Sequence, residues 1–506
     1  VSAGAARDTA EALLFAGFAV KVGLVPFQIW MPRGYPAAPG PARAIMAGVA
    51  VNVGFYGLWR TLGLLGGAPA WLTGTLLVLA GMTALLGIAH AAVQQELARV
   101  IAYSSVENTG LILAGFGVAL VGAGIHDRRL AAAGLLAATL QIVAHTAAKS
   151  LLFTSSAMIE RDTGTGDLDA LHGTARRLPW SGTGLAIGSL TLAGLPLTAG
   201  FVSEWFLLES LMQQFRVPGL GYRLVLALAG AAVALTAGFA GVTFVRLTGF
   251  VVLGWRPSRP GGAARGSRRM ARGDGPVQVA ADGVVRAGDY GWLGRAGLVI
   301  LAAGCLVTAA LLPLVIRVIA AGLSPVVPSA VTTAALKSPW VVQPVFGGFS
   351  ILSPSWLWIA MPFLLIIVVG FTRLVSGTRM TRVRRVPAWR SATAGVEGAD
   401  CYTASGFANP TRRVLASVLH TRAELRTLGP EQAETAAVST PGTGAHLGYS
   451  SDVIEVVETY LYRPLVRPVM MVVRAAKRLQ SGRLDAYLAY MLIALIAAIA
   501  IVVALA

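Results

Sequence analysis

Residues 129–157 read RLAAAGLLAATLQIVAHTAAKSLLFTSSA, an apolar run that carries a histidine and a lysine four positions apart. A helix rising 1.5 Å per residue needs about 20 residues to cross ~30 Å of hydrocarbon, so this stretch predicts a membrane-spanning helix. The spacing of His145 and Lys149 puts both side chains on one face of it. An ionised side chain at mid-membrane costs about 2.5–3.5 kcal/mol even on the lenient insertion scale. Such a helix therefore expects protein, water or another polar group beside that face.

Comparable runs lie to either side, at 11–31, 41–64, 71–92, 99–122, 181–212, 222–253, 295–320, 355–374 and 485–506. Two carry helix breakers. Gly23-Leu24-Val25-Pro26 interrupts the first, and Gly194-Leu195-Pro196-Leu197-Thr198-Ala199-Gly200 interrupts the run at 181–212. Proline removes a helix hydrogen bond, and paired interrupted spans mark intramembrane sites in many transporters. Pro26 and Pro196 are thus the expected breaks. The 506 residues are 55% hydrophobic and 13% charged, with a mean hydropathy of +0.69. A soluble domain is about 25% charged, so a soluble enzyme is excluded. The expected fold is all-α, a polytopic bundle of about ten transmembrane helices, two of them interrupted.

The net charge of +18 does not point to nucleic acid, because the arginines cluster in alternate loops. Those after the first, third, fifth and seventh runs hold Arg33, Arg43, Arg99, Arg161, Arg176, Arg177 and a dense set beginning at Arg256. By the positive-inside rule these loops are cytoplasmic, and the expected location is the cell inner (plasma) membrane, multi-pass. The organisation expected is a translocation bundle over 1–255, a flexible basic loop over 256–294 and further spans over 295–374. A disordered cytoplasmic insert follows over 375–450, and a last span over 485–506. Between these two, residues 451–484 alternate Val466, Val469, Met470 and Val473 with Arg467, Arg474 and Lys477, the pattern of an amphipathic helix on a membrane surface. Lying on anionic lipid and docking a partner subunit both suit it. The chain begins at Val1 without a charged leader, which reads as a fragment lacking its natural beginning.

The ionisable groups inside the runs are Lys21, Glu107, His145, Lys149, Glu204 and Arg246. Only four lysines, Lys21, Lys149, Lys337 and Lys477, occur among 41 basic residues, yet two of them are intramembrane. Arginine holds its proton permanently, whereas buried lysine can release it, and histidine titrates near neutrality. Lys21, His145, Lys149 and Glu204, with Glu107, are therefore the candidate proton-transfer residues. Glu107 serves equally as a partner for neighbouring backbone. Arg246 reads either as an electrostatic gate or as a structural charge near a span end. His90 and Glu209 read as interfacial, and Asp162, Asp167 and Asp169 as a solvated turn. Cys305 lies in an apolar run and Cys401 in a polar insert, which leaves no cysteine metal or iron–sulfur set. No catalytic residue, cofactor or metal site is expected in this chain.

These motifs resemble a known family. The run Gly17 to Phe27 containing Lys21 and Pro26, followed by Trp30-Met31-Pro32 and Pro36-Ala37-Ala38-Pro39, is similar to the antiporter-like proton-translocating subunits of respiratory complex I, Mrp antiporters and energy-converting hydrogenases. So are Ala102 to Gly110, His145 to Phe153, and Gly194 to Trp205. Glu107-Asn108, Ser203-Glu204-Trp205 and the tail Arg478 to Leu484 look most like the branch of hydrogenase-4 component B and formate hydrogenlyase membrane subunits. The resemblance implies proton transfer along Lys21, the His145–Lys149 pair and Glu204. It also implies a lipid bilayer and other membrane and redox (hydrogenase or iron–sulfur) subunits as partners, with the redox chemistry in those partners. Asn52 stands where many relatives carry lysine, Gln95 to Arg99 lacks a lysine often found there, and the family's earlier helices are absent. Three readings follow: a redox-coupled proton-translocating subunit, an Mrp-type cation/proton antiporter subunit, and a non-conducting membrane anchor.

Overall fold

The computed structural model describes residues 5–64, 68–254, 289–338, 340–342, 346, 353–376, 403–428, 446–479 and 484–505. Its fold is a helical membrane bundle, and among the described residues six helices are long and apolar enough to cross a bilayer. Two compact units are distinguished, Val1–Leu415 and Ala416–Ala506.

In the first unit, α1 (Ala5–Val22) and α2 (Trp30–Ala37) flank the first break; α3 (Gly40–Ile45) passes through a π-helical turn, Met46–Ala50, into α4 (Val51–Leu64). The core is built on α5 (Ala70–Val93), α6 (Leu97–Gly124) and α7 (Arg128–Thr163). α8 (Pro179–Leu192) and α9 (Ala199–Leu211) flank the second break, and α10 (Leu220–Arg246) continues as a π turn, Leu247–Val252. Then come α11 (Trp292–Ala310), α12 (Leu312–Leu323), α13 (Ser329–Thr332), a two-stranded ribbon of β1 (Leu336–Ser338) and β2 (Val341–Val342), α14 (Pro354–Ser376) and α15 (Ala404–Val414). The run at 295–320 is thus two helices: the chain turns at Leu311 and restarts with Pro313 in the first turn of α12, where a missing N–H costs nothing.

Small residues let the central helices approach. A methyl group at Gly134 of α7 would stand 2.5 Å from the backbone nitrogen of Ala119 in α6, and one at Gly110 of α6 would stand 2.7 Å from Cα of Ala84 in α5. Lipid gives helices no hydrophobic reason to associate, so close backbone packing of this kind supplies the cohesion. The first break is anchored at both of its ends. The last carbonyl of α1, Val22 O, accepts from Thr109 Oγ1 at 2.7 Å, and Val25 N, beside the cis peptide to Pro26, donates to Thr83 Oγ1 at 3.0 Å. Hydroxyls of α5 and α6 thereby satisfy polar backbone that the broken helix frees.

The insert expected to be disordered over 375–450 is ordered in part. α15 falls within it, with Ala404, Ala408 and Arg412 buried. The reason is a set of long-range anchors: Ser405 N donates to Asp169 Oδ1 at 2.8 Å, and Arg412 Nη2 donates to Val93 O at 3.0 Å. The basic loop 256–294 lies outside the described residues up to 288.

The second unit holds α16 (Ala416–Leu419), an antiparallel hairpin of β3 (Arg422–Leu428) and β4 (His446–Asp452), α17 (Arg463–Leu479) and α18 (Leu484–Leu505). α17 exposes Leu465, Val466, Val469 and Met470 together with Arg467, Arg474 and Lys477.

Candidate functional site

The seam between α6 and α7 carries a polar stripe through an otherwise apolar core. Gln141, His145 and Lys149 follow one another at four-residue intervals on α7 and are all buried, so they share a face. Lys149 Nζ donates to Ile101 O at 3.1 Å and to Ser104 Oγ, both on α6. Its donors thus meet neutral acceptors rather than a fixed carboxylate. Gln141 Nε2 donates to Asn108 Oδ1 at 2.9 Å; Asn108 Nδ2 donates to Ser104 O at 2.8 Å and reaches Glu107 Oε2 at 3.5 Å. Glu107 is fully buried and lies within electrostatic range of both Lys149 and Glu204. Glu107 Oε1, Gln141 Oε1 and both ring nitrogens of His145 have no hydrogen-bond partner. Buried polar atoms are nearly always paired, so these four atoms, gathered on facing turns of α6 and α7, leave the seam with unmet hydrogen-bonding capacity.

Glu204 stands on the second turn of α9, just after the break. Gly194 closes α8 with φ +62°, and a methyl group there would stand 2.5 Å from Glu204 Oε2. The glycine does two jobs: it takes a left-handed turn that side chains disfavour, and it leaves the space the carboxylate fills.

On the other side of α7, Asn52 Nδ2 donates to Thr146 Oγ1 and to Gly48 O, each at 2.8 Å, while its Oδ1 is buried without a partner. Thr146 is the neighbour of His145, so Asn52 leans on the same turn of α7. Gly48 O belongs to the π turn, a geometry frequent at functional sites.

Lys21 differs from its companions. Its side chain is exposed, with the stem resting where a methyl group at Gly54 would stand 3.2 Å from Lys21 Cγ. Its helix buries Glu11, Phe15, Ala19 and Val22, a stripe that leaves position 21 outside. Arg246 Nη1 and Nη2 donate to Ala92 O at 2.7 Å and Gln94 O at 2.6 Å, at the C-terminus of α5. Arg412 joins it there through Val93 O. A cation at a helix C-terminus meets unsatisfied carbonyls and the negative end of the dipole. Asp162, expected in a solvated turn, is buried and pairs with Arg177 Nη2 at 2.7 Å, and His90, expected to be interfacial, is buried beside the Tyr103 ring at 5.2 Å.

Sequence reasoning passed over Gln141, Asn108, Arg412 and Glu11. The first had a readable signal, since it extends the His145–Lys149 spacing by one more turn. Glu11, the first residue of the first apolar run, is fully buried with Arg7 Nε at 2.9 Å.

The bundle thus sets two helix breaks beside a core that buries Lys149, His145, Glu107 and Glu204. Residues 4–230 match the family described as "NADH:quinone oxidoreductase/Mrp antiporter, TM". Hydrogenase-4 component B of Escherichia coli is 36% identical over 245 residues, 48% of this chain and 36% of that protein; the chain thus spans about a third of that relative's length. An uncharacterized protein of Mycobacterium tuberculosis is 32% identical over 496 residues, covering 96% of this chain and 72% of that one. Among solved structures, the membrane-bound sulfane sulfur reductase, an archaeal respiratory membrane complex, contains a chain of like fold, with a TM-score of 0.59, 21% identity and coverage of 97% and 68%. The chain belongs to the family of antiporter-like membrane subunits shared by NADH:quinone oxidoreductases, Mrp antiporters and hydrogenase-4-type enzymes.

Proposed function

We propose that this chain is a proton-translocating membrane subunit of a hydrogenase- or NADH:quinone oxidoreductase-like complex, in which about ten spans, two of them broken, carry protons laterally through the bilayer interior. The observation that carries this reading is the seating of Lys149, fully buried and held by a serine hydroxyl and a backbone carbonyl. A structural lysine would be expected opposite a carboxylate. One with neutral partners can give up and regain its proton without breaking an ion pair. His145, Glu107 and Glu204 supply the neighbouring stations, and Lys21 supplies the station on the exposed face. Redox chemistry in partner subunits would shift the field at Lys21 or Glu204, and the exposure of Lys21 suits a membrane helix of a neighbour packing there. The inner (plasma) membrane is the proposed location.

The test is Lys149→Met in inside-out vesicles carrying the assembled complex. Acidification driven by the electron donor should fall at least about tenfold, the rate equivalent of 1.4 kcal/mol. Electron transfer measured with an artificial acceptor should persist. Undiminished acidification would overturn the proposal in favour of a membrane anchor. Repeating the wild-type assay with sodium replaced by choline separates the Mrp-type reading, which requires the rate to follow sodium.

A further inference from the structure

Gln141 belongs to none of the motifs that suggested proton transfer, yet its position is built. Its Nε2 is fixed by Asn108 Oδ1 at 2.9 Å, and Asn108 is itself fixed by Ser104 O at 2.8 Å. Ser104 is also the residue whose hydroxyl receives Lys149. The amide group is therefore oriented, which leaves Gln141 Oε1 buried and unpartnered one helical turn from His145. His145 keeps both ring nitrogens unpartnered, and across the seam Glu107, adjacent to Asn108, keeps Oε1 unpartnered. Each of these three side chains is at most 1% exposed. Leaving a buried acceptor unsatisfied costs about 1–3 kcal/mol, and three of them around one seam are satisfied most economically by shared buried water, which makes about three hydrogen bonds per molecule.

Resting on the proton-transfer reading above, we propose that Gln141 is a positioning residue of the relay, its Oε1 holding a buried water that connects Glu107 Oε1 with a ring nitrogen of His145. The Asn108–Gln141 bridge makes Glu107 a branch of the file. A proton leaving the Glu107 carboxyl enters the water as that water passes one of its own to His145, so the step ends with carboxylate, imidazolium and an intact water molecule. Beyond Gln141 the two helices approach closely, a methyl group at Gly115 standing only 2.9 Å from Ala138 N. The stripe therefore ends at Gln141 and opens only toward Lys149.

The experiment is infrared difference spectroscopy on the full chain in its assembled complex, comparing wild type with Gln141→Leu and Gln141→Glu. Glu107→Gln identifies the carboxyl band of Glu107. In Gln141→Leu that band should move to higher frequency and the signal of weakly bonded water should vanish; Gln141→Glu, which keeps an acceptor at the same place, should hold both near wild type. Redox-driven acidification should fall about five- to tenfold in Gln141→Leu, the equivalent of one lost buried hydrogen bond, and recover in Gln141→Glu. A Glu107 band unmoved by Gln141→Leu overturns the proposal. Should Gln141→Leu fail to assemble, Asn108→Ala frees the same amide, and the same unmoved band counts against it. The spectrum reads the Glu107–Gln141 connection whether or not Lys149→Met stops transport, so failure of the water bridge and failure of the translocation reading are told apart.

Discussion

A single glycine decides where the Glu204 carboxylate can sit. Gly194 holds φ at +62° and leaves the volume that Glu204 Oε2 occupies. Gly194→Ala therefore faces two costs: the left-handed backbone, about 1–2 kcal/mol for a side-chain-bearing residue, and displacement of the carboxylate. The expected outcome is a drop in thermal stability together with loss of acidification close to that of Glu204→Gln. Unfolding followed by intrinsic tryptophan fluorescence, and the vesicle assay, check the two halves; a stable variant with normal transport would show that the seat is unimportant. At this scale the sequence was informative wherever chemistry is local. The His145–Lys149 spacing and the Gly-Pro break before Glu204 could be read directly, because helical rise alone sets them. Lys21 could not be placed that way. Whether a residue on α1 faces in or out depends on which stripe α4 and α6 cover, and that is a property of the assembled bundle.

Elements were legible to within a few residues where apolar runs were continuous, as in α5, α6 and α10. They were not where the decisive contacts are distant in sequence. α15 is an instance: nothing in the composition of 404–414 announces order, and the order comes from Arg412 meeting Val93 O, 319 positions away. That contact gives α5 two guanidinium caps, Arg246 on Ala92 O and Gln94 O, and Arg412 on Val93 O. Hydrogen bonds to charged groups contribute about 1.5–3 kcal/mol each. Arg246→Ala should therefore destabilise the chain by about 2–4 kcal/mol, and Arg412→Ala by less. The two cations share one helix end, so removing either relieves repulsion on the other. The double variant should accordingly cost more than the sum of the singles, a coupling that a double-mutant cycle on unfolding in mild detergent measures. Arg246→Lys should not rescue, because an ammonium cannot span two carbonyls as a planar fork does.

At the level of the whole molecule, the four lysines form a built-in probe of what this chain encloses and what it leaves to neighbours. Lys149 is fully buried, whereas Lys21, Lys337 and Lys477 are exposed. Around Lys21 the surface is apolar, with Leu13 at 69%, Val20 at 45%, Val53 at 57% and Tyr56 at 68% exposure. An exposed amine within such a face is poorly matched to lipid, where its ionised form costs about 2.5–3.5 kcal/mol. It is well matched to a neighbouring membrane helix that brings a carboxylate to the same depth. Reductive methylation followed by mass spectrometry should therefore modify Lys21, Lys337 and Lys477 in the chain purified alone and spare Lys149. In the assembled complex Lys21 should become protected while Lys337 and Lys477 stay reactive. Equal labelling of Lys21 in both preparations would mean that its face meets only lipid, and the file would then begin at the Asn52–Thr146 contact rather than at α1. Labelling of Lys149 in the isolated chain would mean that the seam opens to bulk water, which is incompatible with a relay that must hand protons on without leaking them.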